Sequence, residues 1–114
     1  MPSFSRTATV TIASGQSLSA AVALGAGVPL AMQIPAAITG TELTVQGSLD
    51  GITYTDIFDS GVELSIPVLA SQNVVLPATA LAGFSYFKFR SGTASVPTNQ
   101  GADRTLVLHN RVDF

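Results

Sequence analysis

The side chains able to do chemistry in this sequence are few: one histidine, His109, five carboxylates between Glu42 and Glu63, and no cysteine. A Ser-His-Asp triad needs an imidazole that reaches a nucleophile and is oriented by a carboxylate. His109 instead sits in an alternating stretch two residues after Val107, and the chain has no G-x-S-x-G nucleophile elbow. A zinc site would need further His or Cys ligands, and there are none. Without cysteine there is neither a thiolate nucleophile nor a disulfide framework.

The carboxylates Glu42, Asp50, Asp56, Asp59 and Glu63 suit calcium, which takes about six to eight oxygen ligands. The D-x-D-x-D-G order of a calcium loop is absent, however, and Asp50 and Asp59-Ser60-Gly61 read as turn residues. Glycoside hydrolysis needs two carboxyl groups at a set separation across a cleft, for which a small chain without tryptophan is a poor candidate. Gly25-Ala26-Gly27 is not a phosphate cradle, because Leu30 stands where a third glycine is required and Pro29 interrupts. The expectation is a non-enzymatic protein with no metal and no cofactor.

The elements that would position these residues are strands. Period-2 alternation runs through the chain, and no window holds a helical stripe. Thr7–Ala13 places Ala8, Val10 and Ile12 on one face and three threonines on the other. Leu18, Ala20, Val22 and Leu24 alternate in a second strand, Leu30, Met32 and Ile34 in a third, and Leu43, Val45 and Leu49 in a fourth. Asp50-Gly51, tolerant of positive φ, predicts a hairpin into Thr53–Phe58. Val62, Leu64 and Ile66 form a sixth strand and Asn73–Leu76 a seventh, stopped by Pro67 and Pro77.

Phe84–Arg90 directs Phe87 and Phe89 inward and Tyr86, Lys88 and Arg90 outward, and Arg104–Arg111 is the last strand. Residues 77–83 have room for a helical turn, and residues 91–103 make a loop of about 13 residues, a length that suggests a contact role. About eight or nine short strands of this kind predict an all-β chain, a single antiparallel β-sandwich that is jelly-roll-like. Residues 1–6 are read as an N-terminal arm and residues 7–114 as one sandwich domain.

Composition narrows the partners. Only 11% of the 114 residues are charged, against roughly 25% in an ordinary soluble domain. Five Lys and Arg neutralise few phosphates, so nucleic acid is not an expected partner. The net charge of −2 gives no attraction to an anionic membrane. The apolar stretch at residues 20–38 is broken by Gly25, Gly27, Pro29 and Pro35, so it reads as two strands around a turn rather than a membrane span. No secretory signal is expected either, since MPSFSRTATV has no apolar core behind its arginine.

The missing charges leave outward strand faces of Ser, Thr, Ala and Gln, which suit contact with other protein. The basic residues Lys88, Arg90, Arg104 and Arg111 gather late in the chain, opposite in sign to its acidic middle, so that one copy could dock against the next.

The stretches TATVTIASGQSLSAAVALG (7–25) and FKFRSGTASVPTNQGADRTLVLHNR (87–111) carry a resemblance. Together with the SLDGITYTDIFDS hairpin they make the chain similar, over about residues 7–111, to small tailed-bacteriophage virion β-sandwich proteins. The resemblance implies a capsid decoration or cement protein on the outer surface of the virion, bound to the major capsid protein and self-associating as a homotrimer. A neck or tail accessory role fits the same resemblance. The arm, the long loop and the basic residues of the strands beside it supply the expected contacts: Met1, Phe4, Arg6, Lys88, Arg90, Val96, Asn99 and Arg104. The alternative reading is a host-glycan-binding module using Tyr54, Asp56, Tyr86 and Asn99.

Overall fold

The computed structural model describes residues 3–113. In chain order the elements are β1 (Ser3–Ile12), β2 (Val22–Ala23), β3 (Val28–Gln33), β4 (Glu42–Ser48), β5 (Thr55–Asp56), β6 (Phe58–Asp59), β7 (Val62–Glu63), β8 (Ser65–Pro67), β9 (Asn73–Val75), α1 (Ala78–Leu81), β10 (Tyr86–Ser91) and β11 (Arg104–Asp113). The chain is predominantly β, as its alternation predicts, with α1 as the helical turn expected within residues 77–83.

Two antiparallel sheets carry most of the strands. The first runs β1-β11-β3-β9; the second runs β2-β10-β4-β5, with β8 also on β4. The small β6–β7 hairpin stands apart from both. Val10, Ile12, Met32, Leu106 and Leu108 of the first sheet share one buried cluster with Leu43, Val45, Phe87 and Phe89 of the second. Every second residue is apolar in Ala8–Ile12, Leu43–Val45, Phe87–Phe89 and Leu106–Leu108, so each sheet turns one face to that cluster. Leu81 of α1 and Leu76 before it close the cluster from the side.

Four expectations change. Ser3–Arg6, read as an arm, belong to β1, because β11 is long enough to pair with all ten residues from Ser3↔Asp113 to Ile12↔Arg104. The second strand shrinks to Val22–Ala23 because the segment before it crosses between sheets. Ser19 N–H donates to the Phe89 carbonyl in the second sheet, while Ala20 N–H donates to the Thr11 carbonyl in the first.

Asp50-Gly51 does connect antiparallel strands, but through the six-residue stretch Leu49–Tyr54. The two-residue turn is at Ser60-Gly61, where both φ values are positive (53° and 82°) as a tight hairpin requires. Leu49, placed on the inward side of the fourth strand, follows the end of β4 and is exposed.

Candidate functional site

Arg90 departs furthest from its sequence reading. It lies on the outer face of β10, as the alternation places it, yet its side chain is only 9% exposed. The β6–β7 hairpin brings Glu63 to that face, and Asp56 reaches it from β5, the neighbour of β4 in the same sheet. Arg90 Nη2 donates to Asp56 Oδ1 at 2.8 Å and to Glu63 Oε2 at 3.0 Å, and its Nε donates to Thr44 Oγ1 at 3.0 Å. Thr44 in turn donates to the Gly92 carbonyl, and Gln46 Nε2 donates to Asp56 Oδ1. A buried guanidinium is tolerated when its charge and donors are met in this way. The cluster is therefore a bolt between the second sheet and its covering hairpin, and Arg90 is not free to meet a partner.

The long loop is anchored rather than floppy. Gln100 is fully buried, with Nε2 donating to the Thr39 carbonyl at 2.8 Å and Oε1 accepting from Thr39 N–H at 2.9 Å. Its backbone bonds Gln16 and Gly15. Arg104 Nε donates to the same Oε1 at 3.3 Å. At the loop's start Gly92 has a φ of +84°, and a Cβ there would lie 2.5 Å from the Val96 carbonyl oxygen. Among the expected contacts, Val96 and Asn99 remain exposed on this loop.

The other expected contacts lie apart. Arg6 Nη2 donates to the Leu24 carbonyl at 2.9 Å, and Arg6 pairs with Asn110. Arg104 pairs with Ile12, six positions along β1, which is about 20 Å away. Lys88 sits over the Tyr54 ring, 4.5 Å from its centroid. Met1 and the Phe4 side chain lie outside the described residues. Three of the four glycan-contact residues have neighbours within the chain as well: Asp56 holds Arg90, Tyr54 lies under Lys88, and Gly51 lies against the Tyr86 ring, while Asn99 is exposed.

What the structure does assemble is a broad face almost without charge. Ser5, Thr7, Thr9 and Thr11 of β1 stand beside Arg111, His109, Val107 and Thr105 of β11, followed by Ala31 and Gln33 of β3 and Val75 and Asn73 of β9. Val75 is 84% exposed. It also borders a shallow apolar groove of about 360 Å³ between β8 and Leu76-Pro77. Across Pro77 a second groove of about 530 Å³ runs between Phe58, α1 and Phe84, with Phe58 59% exposed.

The sequence reading missed this strip because it placed Phe58 at the end of a strand and Val75 within one, where alternation alone does not say which apolar side chains stay uncovered. Exposed apolar strips of this sort mark protein contact surfaces.

Among the described residues no three His, Cys, Asp or Glu side chains come together as metal ligands, and no helix is long and apolar enough to cross a membrane. Comparison with protein-family models and with curated proteins gives no match.

Proposed function

We propose that this chain is a non-enzymatic structural protein of a bacteriophage particle, a decoration or cement protein that binds the outer surface of the major capsid protein shell and stabilises the head. The observation that carries this reading is the outer face of the first sheet, whose only charge among the residues named is Arg111, continuous at Val75 with the exposed apolar side chains toward Phe58. Such a surface meets another protein while stripping water from few charges. It also immobilises few long flexible side chains. The two sheets around one core are read here as the layers of a jelly-roll-like sandwich, a rigid carrier for that surface.

The experiment is co-sedimentation with purified phage heads that lack the protein, beside a Phe58→Ser/Val75→Ser double variant. Both residues are exposed, so the double variant keeps its stability within about 1 kcal/mol. Retention of the wild type on heads, weakened about tenfold or more in the variant, is the expected result. Wild type that stays in the supernatant with heads but sediments with isolated necks or tails would move it to an accessory role there. Wild type that sediments with none of these particles would overturn the reading.

A further inference from the structure

β1 has a free outer edge, and the direction of its backbone groups follows from its neighbours. The Ile34 N–H and the Leu30 carbonyl bond toward β9, so Ala31 and Gln33 face β11. Their partners His109 and Val107 therefore face β3, which leaves Leu106, Leu108 and Asn110 facing β1. Ala8, Val10 and Arg6 answer them. Ser5, Thr7 and Thr9 consequently direct both N–H and C=O away from the sheet, as Thr11 does where its carbonyl accepts from Ala20. Among the described residues no strand pairs with this outer edge.

Natural sheets protect their edges by keeping them short, placing proline in them or covering them. β2 and β5 run two residues, and β8 and β9 three, with Pro67 in the one and Pro77 soon after the other. β1 runs ten residues without proline and with one charge, Arg6. A row of unmet N–H and C=O groups of this length calls for another extended strand.

We propose that the occupant is β1 of a second copy, antiparallel and related by a two-fold axis at Thr7. The register follows from the residues. An axis at Arg6 would set Arg6 against Arg6, like charges in the closest type of pair. An axis at Ala8 or Thr9 would run the middle of the partner strand, Ser5 or Thr7, onto Thr11, whose carbonyl is already taken by Ala20, whereas an axis at Thr7 brings only the partner's terminal Ser3 there. An axis at Thr7 sets Thr7 on Thr7, Ser5 on Thr9 and Arg6 on Ala8, with about six new hydrogen bonds. Thr–Thr and Thr–Ser cross-strand pairs are favourable. A groove of about 300 Å³ between Thr7-Ala8 and Ala23–Gly25 leaves room beside the edge for the partner's small Ala8 side chain.

The first sheets of the two copies then join as one sheet through β1. A ring of three would need a second long free edge to receive β1, and no other described edge exceeds three residues.

The test is the solution mass of the whole chain by sedimentation equilibrium, for wild type and three variants at position 7. Thr7→Pro removes the outward N–H and fixes φ but leaves every N–H that faces β11, so the β1–β11 ladder persists, which circular dichroism checks. The variant is monomeric where wild type is a dimer. Thr7→Lys and Thr7→Glu act through an exposed side chain, each weakening the dimer several-fold, while an equimolar mixture of the two restores it. That rescue requires position 7 to face position 7. A monomeric wild type, an oligomer of three, or a dimer indifferent to both the Thr7→Lys and Thr7→Glu variants overturns the proposal, whether or not the proline variant folds.

Discussion

The Arg90 guanidinium lies 2.8 Å from the Asp56 carboxylate, and that contact ties β10 to β5 across the outer face of their shared sheet, beside the hairpin that carries Glu63. Truncation by Arg90→Ala leaves Asp56 and Glu63 near each other with no cation between them. The expected loss is about 3 kcal/mol, near the low end for broken buried pairs because both carboxylates keep some access to water. Arg90→Lys keeps the charge but reaches fewer of the three acceptors, and loses about half as much. Urea unfolding monitored by tyrosine fluorescence checks both, and a negligible loss in Arg90→Lys would show that charge alone is what the site requires.

Gln100 holds the loop of residues 92–103 to Thr39. Replacing it by alanine empties a buried site and strips Thr39 of both partners. The expected cost is about 2 kcal/mol. Limited proteolysis gives the more specific readout, with new cleavage between Gly92 and Asp103 in Gln100→Ala but not in wild type.

Asp50 carries the pH dependence. The N–H groups of Thr53 and Ile52 and the Ser48 hydroxyl all donate to its carboxylate, which holds its pKa below the ordinary 3.8. A depressed folded value means that the stabilisation is complete above 3.8 and disappears as pH falls through the lowered value. Asp50→Asn keeps one acceptor oxygen and removes the titration. The gap in unfolding midpoint between wild type and Asp50→Asn should therefore be widest near about pH 6 and shrink toward about pH 2.

Gly92 is the position least able to accept a side chain. Its φ of +84° disfavours any L residue, and a Cβ would press on the backbone of Val96 and Thr98 rather than on a movable side chain. Relief would break the bonds from Thr98 N–H to the Ser91 carbonyl and from Thr93 N–H to the Val96 carbonyl. Gly92→Ala should lower stability by about 2 kcal/mol or more, measured by thermal unfolding.

Strand positions were legible in the sequence wherever apolar and polar residues alternate without interruption, as in Ala8–Ile12, Leu106–Leu108 and Phe87–Phe89. Alternation assigns a face, and Arg90 is on the face it assigns. It does not say what lies above that face, so the hairpin bearing Glu63 stayed hidden. Turn chemistry was similarly ambiguous. Asp50-Gly51 and Ser60-Gly61 are both good turn pairs, and the tight turn went to the second because β6 and β7 are in register at Asp59 and Val62 while β4 and β5 are held further apart.

Of the expected contact residues, the charged ones were the least informative. In a chain with so few charges, arginines are drawn to carbonyls and carboxylates of their own fold, as at Leu24, Asp56 and Gln100.

The pairing of β1 with β11 joins residues 94 positions apart at Thr11 and Thr105. On a ribosome, β1 emerges before the other described strands and β11 follows them all. Until β11 appears, β1 has no partner on its inner edge and β3 has none on the side that β11 will fill. Long-range pairing of this kind slows folding. During that interval neighbouring nascent chains on one messenger present the same ten-residue strand to each other with both edges open. Productive assembly therefore depends on order: β11 must claim the inner edge before a second copy meets the outer one.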